Sequence, residues 1–180
     1  MPRALADGKT KVAILTTKPA DPFAPTVAEL EAGIDAACSL LDSDFRWSAT
    51  ASDTETEKAL CVAGNASVLG ASNFEATVTV FRYFEADGTV DLTEDAVFQA
   101  LMVKGTEVWV YVRETSKGSR EPWAAEDEVR LGGHVITDTP QASSTRTGYI
   151  KATIPVAFQE GYPYVTVVAA VPDEGGVPAG

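Results

Sequence analysis

Carboxylates are the most plentiful reactive groups in this 180-residue chain, and several stand close together. Asp42 with Asp44, and Asp53 with Glu55 and Glu57, are spaced as pairs that in a cleft would do general acid–base work or bind Ca²⁺. Their neighbours are Ser and Thr in turn-forming sequence, and the D-x-[DN]-x-[DN]-G pattern of a calcium loop is absent. They read as a solvated acidic surface. The one histidine, His134, follows Gly132-Gly133 in a β pattern with no Ser or Cys nucleophile motif beside it, so it reads as a strand histidine rather than a catalytic base. Cys38 and Cys61 have no CxxC spacing and no nearby His, which leaves neither a metal-ligand pattern nor a disulfide framework; both are expected as free, semi-buried thiols. No nucleophile elbow, P-loop, zinc-protease or dinucleotide motif occurs. Trp109, Tyr111, Trp123, Tyr149, Tyr162 and Tyr164 would suit a sugar-stacking groove, yet such rings more often fill a core or a subunit interface. These residues point away from an enzyme, and neither cofactor nor metal is expected.

The balance of 26 acids against 14 bases, a net charge of -12, argues against gripping nucleic acid or an anionic membrane, because phosphate binding relies on Lys and Arg displacing counterions. The same charge suits a surface past which DNA must slide without sticking. Met1 to Lys11 lacks the apolar stretch of a signal peptide, and no segment approaches the ~20 apolar residues of a membrane span, so the chain is expected to be made and to stay in a cytosol. With 45% hydrophobic residues and this length, a single folded domain is expected over residues 1–171, with an N-terminal arm (1–25) and a Pro/Gly-rich tail over 172–180.

The elements that must position these residues are mostly strands. Lys11 to Thr17 reads as a short apolar strand, closed by the Pro-containing stretch Lys18 to Pro25. Thr26 and Glu29 form a capping-box pattern that predicts one or two helical turns over Val27 to Ala32, ended by Gly33. Ser48 to Glu57 reads as exposed turn sequence. From Asn73, Ala76, Val78 and Val80 alternate with Glu75, Thr77 and Thr79, the period of a strand with one face in a core. Asp87-Gly88 marks a turn, and Thr93 to Met102 reads as an amphipathic helix burying Val97, Phe98 and Leu101. Val108, Val110 and Val112 alternate with Trp109, Tyr111 and Arg113, a strand whose second face is too aromatic to be left in water. Thr115 to Asp127 is a loop longer than a hairpin needs. Glu128 to Thr137, Arg146 to Phe158 and Tyr164 to Val171 complete a count of six to eight strands, which predicts a β-sandwich or barrel with one flanking helix.

Several phrases resemble the major tail proteins of long-tailed, non-contractile phages (siphophages) that infect actinobacteria. They are Val27-Ala-Glu-Leu-Glu-Ala-Gly-Ile-Asp35, Leu60-Cys-Val-Ala-Gly-Asn65, Asn73-Phe-Glu-Ala-Thr-Val-Thr-Val-Phe-Arg82, Gly148 to Val156 and Gly161-Tyr-Pro163, spread from about Lys11 to Val171. The resemblance implies six copies per ring, inner strands closing a shared barrel, and rings stacking into a tube that conducts DNA without binding it specifically. It also implies a tape measure protein, a tail terminator and a distal tail protein as partners. Closing strands into a shared barrel would remove sheet edges that otherwise invite aggregation.

On this picture Asp42, Asp44, Asp53, Glu55 and Glu75 are expected to line the lumen. Trp109, Tyr111 and Trp123, the last in the loop Thr115 to Asp127, are expected at contacts between subunits. Lys11 to Thr17 and Pro172 to Gly180 are expected to be arms that order on stacking. The competing readings are a ring-forming head-tail completion or tail terminator protein, which would stop at one ring, and a monomeric carbohydrate-binding β-sandwich.

Overall fold

The computed structural model describes residues 5–56, 60–61 and 67–169. The expected tail over 172–180 and most of the stretch Cys61 to Asn65 lie outside the described residues. Eleven strands and two short helices occur among those described: β1 (Thr10–Leu15), α1 (Val27–Ala32), β2 (Ile34–Asp35), β3 (Arg46–Thr50), β4 (Thr54–Glu55), β5 (Val68–Leu69), β6 (Asn73–Phe81), α2 (Ala96–Leu101), β7 (Glu107–Glu114), β8 (Glu128–Thr137), β9 (Gln141–Ala142), β10 (Lys151–Ile154) and β11 (Val156–Thr166). The fold is mostly β, as the alternation of apolar residues predicts.

Two sheets face each other. One has five strands in the order β11-β8-β7-β1-β2, the other four in the order β3-β6-β10-β9, all pairs antiparallel; β4 and β5 form a separate ribbon. Val12, Ile14, Val108, Val110 and Val112 from the first sheet meet Trp47, Val78, Val80 and Ile154 from the second in one apolar core. The period-2 pattern of β7 also works on its other face, where Trp109 and Tyr111 join Leu30, Trp123, Val129 and Tyr162 in a second core. The five-stranded sheet is therefore covered on both sides.

The capping box forms as read. Thr26 Oγ1 accepts from the Glu29 amide at 3.1 Å while the Glu29 carboxylate accepts from the Thr26 amide at 2.8 Å. The leader is a correction: Lys11 to Thr17 is no arm, because β1 lies inside the sheet between β7 and β2 with Val12 through Leu15 buried. An apolar strand with both faces wanted by a core has no reason to wait for a partner subunit. The second helix is also shorter than Thr93 to Met102. Asp91 accepts from the amides of Thr93 and Glu94 and holds a turn there, and Asp95 is drawn to Arg82 rather than capping, so helix begins at Ala96. Cys38 and Cys61 are free but exposed, not semi-buried.

The last third of the chain corrects the strand boundaries. Arg146 to Ile150 is loop, and the two segments expected at Arg146 to Phe158 and Tyr164 to Val171 are replaced by β10 and a continuous β11 that runs through Pro163. β11 tolerates the proline because it is an edge strand, where a missing N–H has no ladder partner to lose. Together β8-β9 and β10-β11 make one long bent hairpin. It leaves the five-stranded sheet at Thr137 and Val156, which are paired, and enters the four-stranded sheet at β9 and β10 on the far side of Pro155. Glycine makes the tight inner packing possible. A Cβ on Gly161 would fall 2.4 Å from the Phe74 ring, and one on Gly133 would fall 2.3 Å from Phe158, in the aromatic group Trp47, Phe74 and Phe158.

Candidate assembly surfaces

Side chains of β6 alternate across its sheet. Phe74, Ala76, Val78 and Val80 enter the core, so Glu75, Thr77 and Thr79 take the opposite face. By register Arg46 sits across from Thr77, Ser48 from Glu75, and Thr153 from Thr79. That face is polar and open to solvent except at Thr79, which Asp44 of the Asp42–Asp44 turn covers. Arg46 Nη1 pairs with Glu75 Oε1 at 3.0 Å. The Thr79 hydroxyl, itself buried, donates to the Asp44 carboxylate and lies 2.8 Å from the Thr153 hydroxyl. With Lys151 opposite Phe81, the cations Arg46 and Lys151 offset the anions Glu75 and Asp44. The face is rich in hydroxyls and close to neutral.

The five acids expected together separate into three places. Glu75 lies on the uncovered face and Asp44 at its margin. Asp42 shares the Asp42–Asp44 turn but lines a cleft with Asp7, Thr10, Glu114 and Arg130. Asp53 and Glu55 belong to the ribbon that prolongs β3 and β6: Asp53 accepts from Asn73 Nδ2 at 2.9 Å, and Glu55 pairs in register with Val68.

The edges of the two sheets differ. β11 carries a bulge between Phe158 and Glu160, then Pro163, then Tyr164 at φ 51, all devices that stop another strand from adding. β2 is two residues long. β3 has no bulge and no proline, and among the described residues its outer backbone groups are unpaired.

The ends of the four-stranded sheet differ as well. Beyond Asn73 the β4–β5 ribbon carries Val68 and Leu69 at 66% and 74% exposure. Beyond Phe81, at the opposite end, the loop 143–150 carries Tyr149 and Ile150 at 80% and 65%. The Arg82 amide donates to the Ile150 carbonyl at 2.9 Å, which ties this loop to the end of β6. A hairpin over residues 83–91 with exposed Glu85 and Asp87 stands at the same end, next to α2. Arg82 is held there over the Phe98 ring at 3.7 Å and against Asp95 at 3.0 Å. Burial pushes the Asp95 carboxyl up, but hydrogen bonds from Arg82, Gln99 and the Tyr83 amide outweigh it and hold the group below its ordinary range.

The aromatics expected at a subunit contact are instead inside the chain. Trp109, Tyr111 and Trp123 are all buried in the second core. Trp109 stacks on His134 at 4.7 Å, the Tyr111 hydroxyl donates to the Pro22 carbonyl at 3.0 Å, and the Trp123 amide donates to Glu31. Burial raises the Tyr111 and Tyr162 hydroxyls far above the ordinary tyrosine range. The loop Thr115 to Asp127 is long because it wraps a buried guanidinium. Arg113 donates to the carbonyls of Gly118, Glu121 and Pro122 at 2.9 to 3.0 Å and pairs with Asp127 at 2.8 Å, while Lys117 also reaches Asp127. Asp127 is pushed up by burial but brought below its ordinary value by bonds from Lys117, the Ala124 amide and Arg113. Only Tyr149 and Tyr164 of the six aromatics are strongly exposed, one on the 143–150 loop and one on β11. His134 has Glu107 at 3.4 Å, and among the described residues no group of three or more His, Cys, Asp or Glu is placed to hold a metal.

The exposure of Val68, Leu69 and Ile150 is not legible in the sequence, because apolar residues in a β-rich stretch look like core. Arg146 to Ile150 had been absorbed into a strand.

A family model described as phage tail tube protein matches residues 1–171. No protein of curated function matches the chain. Among solved structures, the tail tube of SPP1, determined by solid-state NMR and cryo-EM, superposes with a TM-score of 0.55 at 11% identity, covering 93% of this chain and 82% of that one. At that identity the likeness is one of fold. Neither comparison names an actinobacterial host.

Proposed function

Because this chain belongs to the phage tail tube protein family, a family of structural virion components and not of enzymes, we propose that identical copies close into rings and that the rings stack into a conduit for DNA. The observation that carries the reading is the contrast between sheets: only the four-stranded one keeps an uncovered polar face and an unguarded edge at β3. Joining these sheets edge to edge buries the unpaired backbone groups and turns the hydroxyl-rich face toward the bore.

Ring size follows from strand spacing. Six copies of a four-stranded sheet give about 24 strands, and at ~4.8 Å per strand the barrel is roughly 37 Å across before tilt widens it. Three copies give roughly 18 Å, too narrow for a duplex once side chains fill the wall. Six copies per ring fit the task.

Glu75 is the acid of the lining on this reading, with Asp53 and Glu55 beyond it and Asp44 at its margin, while Asp42 lies apart in its cleft. A tape measure protein within the bore, and a tail terminator and a distal tail protein at the ends, are the partners such a tube requires. Negative-stain electron microscopy over a concentration series tests the reading. Hollow tubes with a regular repeat are expected; single rings that never stack would favour a terminator or completion role, and a discrete particle of one chain at every concentration would overturn ring assembly.

A further inference from the structure

We infer that the pocket formed by the 143–150 loop, with Arg146, Tyr149 and Lys151 on its walls, is a phosphate site through which each copy touches the backbone of passing DNA. The inference rests on the conduit reading and adds to it the place of contact. The pocket encloses about 230 Å³, and its lining holds two cations and no acid. Arg146 is exposed, and neither it nor Lys151 has an ion pair among the described residues, whereas Arg46 on the same sheet is committed to Glu75 at 3.0 Å. In a chain with 26 acids, a pocket whose only charges are free cations is complementary to an anion from outside.

Position selects the anion. Ala152 and Ile154 enter the core, so Lys151 takes the opposite face with Thr153, the face turned to the bore on the ring reading. A neighbouring copy meets the edges of this sheet, whereas DNA meets the face itself. Tyr149, 80% exposed, is braced edge-on by the Phe81 ring at 5.8 Å. Its phenol is a donor of the kind that joins Arg and Lys on phosphate oxygens. The loop is held in shape, since the Arg82 amide donates to the Ile150 carbonyl at 2.9 Å, the Ser143 hydroxyl donates to the Thr145 carbonyl at 3.2 Å, and Gly148 turns the chain at φ 81. Glu85 and Asp87 stand at the same end but next to α2, whose Val97, Phe98 and Leu101 pack into the core on the other side of the sheet. Contacts of this kind carry no sequence information and yield to competing counterions. A collar of them in each ring centres the duplex without holding it.

The full-length chain, assembled into tubes with a short fluorescent duplex present and then sedimented, tests the site. Parent tubes should hold the duplex at ~50 mM salt and release it toward ~200 mM, with a slope that reports the phosphates engaged. Arg146→Ser combined with Lys151→Ser should lower retention about tenfold and flatten that slope by about two, one for each phosphate contact removed. Lys18→Ser, which removes a cation beside α1, should change neither. Equal retention by parent and double variant, or none by parent tubes at low salt, would overturn the phosphate site and leave the conduit reading untouched. A double variant that fails to form tubes while the parent does would also overturn it, assigning the two cations to an acidic side chain of a second copy. A parent that never forms tubes would overturn the conduit reading and this site with it.

Discussion

The two sheets share a core but differ in what they leave open. The five-stranded sheet is buried on both faces, its long edge strand is blunted, and its loop of greatest length is stapled internally by Arg113. The four-stranded sheet hides one face only, keeps a free edge at β3 and projects apolar groups at both ends. On the ring-assembly reading, the first sheet chiefly stabilises the subunit and the second joins it to its neighbours. Changes on the first should therefore be read in stability, and changes on the second in assembly.

The largest break of that division is Arg113→Ala. It leaves three carbonyls without their donor and half-strips Asp127, so unfolding free energy in urea should fall by about 3 kcal/mol. An unchanged midpoint would mean that the loop does not depend on its guanidinium. Gly161→Ala comes next. Its methyl group meets Phe74 between the sheets, and overpacking there should lower stability by about 1–3 kcal/mol and broaden the near-ultraviolet aromatic signal. Acid acts more mildly. Asp95 and Asp127 have folded pKa values below the ordinary carboxylate value of about 3.9, so the stability they contribute is present above that pH and is lost as pH falls through their lower folded values. Thermal melts should weaken below about pH 4, and Asp127→Asn should shrink the acid-sensitive part. The smallest effect on stability belongs to Thr77→Lys on the uncovered face, within ~0.5 kcal/mol. If that face lines the bore, the same change should leave tubes intact and slow DNA ejection; unaltered ejection would assign the bore to other residues.

Local rules made much of this legible. Thr26 and Glu29 capped α1 as their spacing implied, and the double alternation of β7 foretold a sheet covered on both sides. Where burial depends on distant partners, sequence misled. Lys11 to Thr17 looked like a loose leader because β7, the strand that encloses it, begins only at Glu107. Trp109, Tyr111 and Trp123 looked like interface groups because the pattern of β7 shows that its second face is covered but not whether the cover comes from the same chain. The acids of the candidate lining were visible as acids, but their division among a sheet face, a cleft and a ribbon is a property of register.

The bent hairpin formed by β8-β9 and β10-β11 has a consequence for synthesis. Strands β3 and β6 leave the ribosome early, yet their sheet stays half-built until β10 and β9, between Gln141 and Ile154, have been translated. By then β1, β7 and β8 are already out, and the same hairpin that finishes the five-stranded sheet delivers the missing half of the other. At about 5–20 residues per second, the nascent chain spends several seconds unable to present a complete polymerising face. On the ring-assembly reading, the order of the strands along the chain therefore delays completion of the joining sheet until nearly the whole domain has been made.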